Sequence, residues 1–394
     1  MNQDPVVIVS MARTPIGNLL GALSTKTAPE LGGVALKACL ERASCSPDYI
    51  DEVLMGCVLP AGIGQAPARQ AAHAGGLPWS AGATTINKMC GSAMQAIILG
   101  HDGLLAGSRR AVLAGGMECM SLAPYLATKA RAGYRIGHGQ LLDHMFYDGL
   151  EDAYDRGKLM GCFADDTADR YGFTRENQDD FAKRSAERAL AAIEEGKFSA
   201  EIAPVTVSSR KETITVSVDE GPDASRINKI STLKPAFREN GSVTAANSSS
   251  ISDGAASVLL MRKSQAEKWK LPILAVIRAH ATHSHEPAWF TTAPSFAIQS
   301  VVKKAGWSMS EVDLFEINEA FAVVAMTAMK DCDLPADKVN IHGGACVLGH
   351  PIGASGARIV VTLLSALQQY GLHRGVASLC IGGGEATALA IERM

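Results

Sequence analysis

The sequence predicts an α/β protein of five layers, helix–sheet–helix–sheet–helix, and three observations predict it. First, a helix–turn–strand unit recurs. Leu36, Leu40, Ala43, Ser44, Ile50 and Asp51 have counterparts in Ile298, Val302, Ala305, Gly306, Val312 and Asp313 at a constant offset of 262 residues, so two halves of one architecture are expected. Second, the stretches from about Ser92 to Leu105 and from about Gly356 to Leu367 have helical periodicity but are apolar nearly all round. A helix without a polar face has to be covered on all sides, which places both in a central layer between two sheets. Third, residues 122–250 carry most of the loop-like and charged sequence and separate the halves. The expected division is therefore 1–121 with 251–270, an inserted loop domain 122–250, and a second half 271–394.

Taken in order, Val6-Val7-Ile8-Val9 reads as a buried strand, followed by the turn Arg13-Thr14-Pro15-Ile16-Gly17. Leu31 to Ala43 has helical periodicity, and Ser46-Pro47-Asp48 turns the chain into the strand Val53-Leu54-Met55. Thr84-Thr85-Ile86 leads through Asn87 and Lys88 to Cys90 at the start of the first apolar helix, which stops at Gly107. In the insertion, Thr174 can cap a helix whose Ala182, Ala186, Ala189 and Ile193 form one stripe, ended by Gly196. Thr213 to Val218 alternates as a half-exposed strand, and Ser257 to Met261 is the last strand of the first half. The second copy ends in Leu314-Phe315-Glu316-Ile317. Its apolar helix has Ser355 as a plausible N-cap and Gly371 as a stop, before a strand Val376 to Leu379.

Composition narrows the function. The chain has 394 residues, 47% hydrophobic and only 5% aromatic, with 38 glycines, which suits packed layers with backbone-lined sites. A net charge of −3 without a long basic run argues against nucleic acid as a partner. The nine cysteines are scattered with no CxxC pair, so neither a disulfide framework nor a zinc ribbon is indicated, and a reducing, cytoplasmic setting is expected. Met1-Asn2-Gln3-Asp4-Pro5 lacks a basic leader, no apolar run is long enough for a membrane span, and Ile391-Glu392-Arg393-Met394 is no peroxisomal signal.

Four segments have a composition that fold alone does not require. They are Asn87-Lys88-Met89-Cys90-Gly91-Ser92; Asn318-Glu319-Ala320-Phe321-Ala322; the glycine-rich run from Gly343 to Gly356 holding Gly349-His350-Pro351-Ile352-Gly353-Ala354-Ser355-Gly356; and Cys380-Ile381-Gly382-Gly383-Gly384. At least three sit at the carboxyl ends of strands, where open α/β sheets place their sites. Cys90, before a helix N-terminus, is expected to favour the thiolate. Neighbouring Gly349 and Pro351 fix the backbone around His350.

Together the four segments resemble the signature of the thiolase family, over essentially the whole chain. The resemblance implies a five-layered αβαβα fold of two similar halves with an inserted loop domain. It implies a reaction on acyl-CoA and CoA as substrates with no resident cofactor or metal, and a homodimer or homotetramer. Carried over residue by residue, Cys90 is the acyl-carrying nucleophile and His350 takes its proton. Cys380 is the base toward the α-carbon of the second thioester. Asn318 holds a water that, with His350, stabilises the enolate. The backbone N–H groups of Cys90 and Gly382 form the other oxyanion hole. Ser249 is placed near the pantetheine amide, in the segment that begins at Ala245. Met160 and Phe321, with Ala320, match substrate-binding positions, and Lys129, Arg131 and Arg135 match a basic loop near the CoA phosphates. The implied activity is condensation of two acetyl-CoA in fatty acid metabolism, with degradative cleavage of longer 3-ketoacyl-CoAs as the alternative.

This chain departs from the family pattern at Ala93, where glycine is usual, at Glu385-Ala386, and at Leu159, where histidine is frequent. A cysteine hydrolase using Cys90, His350 and Asn318 is a rival that leaves Cys380 and the glycines unexplained. A metal site at His280, His283, His285 and Glu286 is set aside because the context is turn-like.

Overall fold

The computed structural model describes residues 4–208 and 212–394. The first half contains strands β1 (Val6–Arg13), β2 (Glu52–Gly56), β3 (Gly82–Ile86), β4 (Ala111–Cys119) and β5 (Ser252–Arg262). The second contains β6 (Ala275–Ser284), β7 (Leu314–Ile317), β8 (Arg374–Ile381) and β9 (Glu385–Arg393). Both halves are wired alike. In the first, β1 and β5 pair antiparallel, β5 and β4 antiparallel, and β4, β2 and β3 parallel. In the second, β6 and β9 pair antiparallel, β9 and β8 antiparallel, and β8 and β7 parallel, with Phe315 bridging on to Val339 where β3 would lie. Even the irregularities correspond: β1 shifts register between Ile8 and Ser10, and β6 between Ile277 and Ala279. The sheets meet edge to edge through Val7 with Val276 and Ile8 with Ala275.

The repeat seen in the sequence has a local cause. Helix α1 (Ala28–Ala43) begins at Thr27, whose hydroxyl takes the Glu30 N–H while the Glu30 carboxylate takes the Thr27 N–H, a capping box. It ends at Ser44 in a left-handed turn, φ 51°. Its counterpart, Ala293–Ala305, ends the same way at Gly306, φ 74°. Short 3₁₀ turns, Pro47–Tyr49 and Met309–Glu311, then feed β2 and β7.

Layering follows from which faces are apolar. Leu31, Leu36, Cys39 and Leu40 of α1 bury against the outer face of the first sheet, and Ile298, Val301 and Ala328 cover the outer face of the second. Between the sheets lie α2 (Ser92–Leu105) and α3 (Ser355–Gln369). Here Met94, Ile97, Ile359, Leu363 and Leu367 share one core with Val112, Leu260, Leu379 and Leu389. The five layers are those the sequence predicts. One capping assignment is corrected. Ala354, not Ser355, precedes α3, and Ser355 is buried inside the first turn with its hydroxyl donating to Pro351 O at 2.9 Å.

The inserted segment contains α4 (Met160–Tyr171) and α5 (Arg175–Glu194), the latter capped by Thr174 as expected. Phe163, Ala164, Ala168 and Val243 from this segment pack with Ala320, Phe321, Val324 and Cys380.

Close approach of backbone to backbone joins the halves. A methyl added at Gly116 would overlap the Gly353 carbonyl and lie 2.7 Å from the Ala93 Cβ, and one at Gly356 would strike the Met94 backbone. Replacing Gly116 by Ala is expected to cost about 1–3 kcal/mol, the usual penalty of overpacking, measured as a lower urea midpoint at unchanged slope.

Candidate active site

The nucleophile turn runs from Asn87 to Gly91, between β3 and α2. Asn87 Oδ1 accepts the Met89 N–H at 3.0 Å, and Ser92 Oγ accepts the Lys88 N–H at 2.9 Å while donating to Met89 O at 2.6 Å. This closure holds Met89 in the left-handed region at φ 48°, the kind of strain a functional turn stores. Cys90 emerges beside the second half, with Gly91 packed against Ile381 and the Gly382 N–H near enough to the Cys90 thiol to favour its charged form.

That thiol is not the resting thiolate expected from the helix terminus. Burial pushes it up to about 11, and the Gly382 amide offsets only part of the cost. Desolvation outweighs the end of a helix here, because the sulfur lies two residues before α2 and is crowded by protein atoms, although the residue as a whole is only half-buried. Cys380, fully buried at the end of β8, is also raised well above an ordinary thiol, by burial first and then by the charge of Cys90.

His350 follows Gly349, which has φ 103°, and its N–H donates to Ser250 O at 3.1 Å. The imidazole Nδ1 lies 2.5 Å from Ser355 Oγ. Because the Ser355 hydroxyl donates to Pro351 O, it accepts from Nδ1–H and so fixes the tautomer, with Nε2 bearing the lone pair. Nε2 is buried without a hydrogen-bond partner. Burial, then the nearby Arg358 charge, depresses the imidazolium to about 3, so the ring is neutral at physiological pH.

Asn318 is fully buried after β7, with Oδ1 accepting from Arg358 Nη2 at 3.4 Å and Nδ2 unpartnered. An orphaned amide donor and an orphaned imidazole acceptor are what a held water would satisfy. The neighbouring Glu319 does structural work: it accepts from Ser185 Oγ at 2.7 Å, Asn340 Nδ2 at 2.8 Å and the Cys346 N–H at 3.2 Å, anchoring the glycine-rich run.

The remaining expected residues fall into two groups. Met160 Sδ lies 3.5 Å from where a Gly382 Cβ would stand, and Met160 packs with Phe237, Phe321, Ala320 and Cys380 in one apolar wall. The Ser249 N–H donates to Ala320 O at 2.9 Å. Ala245, Ala246 and Ser250 line a groove of about 270 Å³ with Arg226, Lys229, Ile227 and Leu233. Arg226 and Lys229 were not singled out from the sequence; two cations among aliphatic residues just after Gly221 are the signal that was available. Lys129, Arg131 and Arg135 lie on an exposed segment and do not line this groove.

Glu118 also escaped the sequence reading, hidden inside the buried strand β4. Its carboxylate accepts the N–H groups of Val58 at 2.9 Å, Leu59 at 3.1 Å and Gly353 at 2.9 Å, and burial still raises it to about 7. The Ala93 methyl packs against Gly116. The histidines considered as metal ligands separate: His283 and His285 pack with Phe296, whereas His280 Nε2 meets Asp102 Oδ1 at 2.9 Å beside His101. His101, Asp102 and His280 do group their ligand atoms, but at the seam between the halves. All nine cysteines are free, and no helix among the described residues is long and apolar enough to cross a membrane.

Comparison with known proteins agrees with this geometry. Residues 6–264 match the family model for the thiolase N-terminal domain and residues 271–393 that for the thiolase C-terminal domain. The chain is 46% identical to an acetyl-CoA acetyltransferase of Pseudomonas aeruginosa, with 98% of this chain and 99% of that protein aligned. It is 48% identical to an acetyl-CoA acetyltransferase of Saccharomyces cerevisiae over the full length of both. The crystal structure of the Bacillus anthracis acetyl-CoA acetyltransferase superposes with a TM-score of 0.97 at 40% identity, covering 99% of each chain.

The depressed imidazole has a consequence for stability. His350 has a folded pKa of about 3, below the unfolded value of about 6.5. Its contribution is therefore present above pH ~6.5 and lost as pH falls toward ~3. His350→Asn is expected to flatten the loss of stability between pH 6.5 and 4 in denaturant titrations; an unchanged slope would contradict the assignment.

Proposed function

Because the chain belongs to the thiolase family, we propose that it is an acyltransferase that condenses two acetyl-CoA molecules to acetoacetyl-CoA and CoA, and runs the reverse cleavage, through an acyl group on Cys90. The observation that carries this is the packing of the Cys90 turn against the Cys380–Gly384 turn, Gly91 on Ile381, with Cys380 fully buried and the unpartnered His350 Nε2 and Asn318 Nδ2 from the same half.

The Cys90 thiol, uncharged at rest, loses its proton to His350 Nε2 as the sulfur attacks the thioester carbonyl. Tetrahedral oxyanion charge falls on the Gly382 and Cys90 amides, donors typically worth about 3–4 kcal/mol each. The C–S bond to CoA breaks, and the departing sulfur takes the proton of Cys380. Cys380, now a thiolate whose burial makes it a strong base, removes the α-proton of the second acetyl-CoA. The enolate oxygen is met by the water on Asn318 and by His350. The new C–C bond forms at the acyl carbonyl, the bond to Cys90 breaks, and Cys90 regains its proton from His350. Each stage is a displacement, so kinetics should be ping-pong.

The groove at Arg226 and Lys229 suits the anionic nucleotide end of CoA, with Ala245 and Ser250 in its wall and Ser249 next in the chain toward Ala320. No metal or organic cofactor is invoked, because thiol, imidazole and backbone amides supply every proton and charge. Cytoplasmic placement and a role in fatty acid metabolism accord with nine unpaired thiols and CoA thioester substrates. For a homodimer or homotetramer, the support is the edge strand β3, exposed at Gly82 and Thr84, together with the exposed apolar residues Trp79, Tyr125, Ile136 and Leu141. A second reading, cleavage of longer 3-ketoacyl-CoAs, is favoured by a cavity of about 300 Å³ bounded by Met89, Tyr147, Met160 and Gly382, more room than an acetyl group fills.

Purified protein is expected to cleave acetoacetyl-CoA with CoA and no added metal; inactivity across C4 to C16 3-ketoacyl-CoAs would overturn the proposal. Cys380→Ser is expected to accept an acyl label on Cys90 yet fail to condense, read by mass spectrometry beside a steady-state assay. Arg226→Ala with Lys229→Ala is expected to raise the KM for CoA about tenfold while leaving kcat within a factor of about three.

A further inference from the structure

The hairpin that carries Gly382 is built from the residue type least able to hold a shape. Gly383 and Gly384 take φ 96° and 92°, and a glycine run resists deformation poorly. Yet the Gly382 N–H has to stand at one place against Cys90. The return arm of the turn is held from the second half, where the His285 N–H donates to Gly384 O at 2.8 Å. From the first half, Gly91 packs against Ile381. One charged contact crosses between the halves at the same place: Lys88 Nζ lies 2.5 Å from Glu385 Oε2, and Ser284 Oγ donates to Glu385 Oε1 at 3.0 Å. Lys88 is two residues before the nucleophile, and Glu385 is three after Gly382. Both are mostly shielded, at 21% and 30% side-chain exposure. Glu385 is one of the positions at which this sequence departs from the family pattern, and the structure gives it a partner on the nucleophile turn.

We propose that the Lys88–Glu385 ion pair is a positioning device for acyl transfer, fastening the glycine hairpin of one half to the nucleophile turn of the other so that the Gly382 amide stays on the Cys90 sulfur. The role rests on the thiolase reading. Lys88 and Glu385 act through Gly382 and take no proton or acyl group themselves. A partly exposed pair contributes little to global stability, whereas an oxyanion donor that wanders by about 1 Å forfeits much of its effect. The consequence therefore falls on kcat.

Glu385→Gln and Lys88→Met are each expected to lower kcat about tenfold or more, with KM for both substrates within a factor of about three and an unchanged melting temperature. Exchanging the charges, Lys88→Glu with Glu385→Lys, is expected to restore most of the loss. Unchanged kcat in the single variants, a loss the exchange does not rescue, or an effect confined to KM each overturns the proposal. A second measurement needs no thiolase activity: the pH profile of Cys90 alkylation by iodoacetamide, followed on the Cys90 peptide. Moving the Gly382 amide away removes an interaction that lowers the thiol, so the double variant Lys88→Met with Glu385→Gln, which leaves the net charge beside Cys90 unchanged, is expected to shift that profile to higher pH. Glu118, whose charge also reaches Cys90, and Cys380, which feels the charge of Cys90, are the same in both proteins. Coincident profiles overturn the positioning role whatever the substrate, whereas inactivity of the wild-type enzyme on every 3-ketoacyl-CoA overturns only the reading beneath it.

Discussion

The structure depends on one close approach, that of the Gly349–Gly356 segment of the second half onto the sheet of the first. At Gly56 and Gly116 a side chain would collide with the Gly353 carbonyl. Glycine there is a requirement of distance, not of φ, since neither residue has a positive φ. Where the backbones meet, Glu118 takes the N–H of Gly353 from one half and those of Val58 and Leu59 from the other. Three donors aimed at one buried carboxylate satisfy groups that would each cost about 1–3 kcal/mol if orphaned. The carboxyl is nonetheless raised to about 7, above its unfolded value of about 4.5. Its contribution is therefore fullest below ~4.5 and lost as pH rises through ~7, the reverse of His350.

Burial governs the chemistry more than helix dipoles do. Cys90 and Cys380 are raised, His350 is lowered, and Glu316 is pushed up to about 8 by burial against the pull of Arg358 at 3.6 Å. The site thus rests with few net charges, and charge appears when a proton moves. A neutral imidazole whose Nδ1–H is committed to Ser355 presents its lone pair in one direction only. Arg358, beneath both Asn318 and His350, orients the first through a hydrogen bond and adds its charge to the burial that keeps the second unprotonated. Both effects issue from a single residue of the central helix α3.

Legibility in the sequence followed the range of the interaction responsible. The repeat was readable because a left-handed helix end and a 3₁₀ turn are local devices, and both reappear 262 residues later in kind, whereas the capping box of α1 has no counterpart at the start of Ala293–Ala305. The two central helices were readable because an all-apolar surface has one fate. Ser355 was misread for the same reason that capping rules work: Ser before a helical run is an N-cap by local pattern, and only its contact with His350 reveals the other use. The thiol state of Cys90 was misjudged because the local signal, a helix start, is opposed by enclosure from residues far away in the chain. Glu118 stayed hidden because a carboxylate in an otherwise apolar strand gives no sign of the three amides that await it. Arg226 and Lys229 stayed hidden because a four-residue helix leaves no periodicity.

The insertion is the part whose purpose becomes clear only in three dimensions. Cys380 ends a strand that, within its own half, would open toward solvent on the side of the glycine hairpin. Phe163 and Ala164 of α4, with Phe237, close that side against Phe321 and Ala320, and Gly161 is in turn pressed onto the Phe237 ring. Removing a proton from a carbon acid demands a base unweakened by hydration, and a thiol becomes such a base only where water is excluded. In the proposed reaction the wall that would line the acyl pocket is thus the same wall whose burial raises Cys380. Widening that wall to accept longer acyl chains would admit water to the sulfur. Under the proposed mechanism, chain-length preference and proton-transfer strength are therefore coupled.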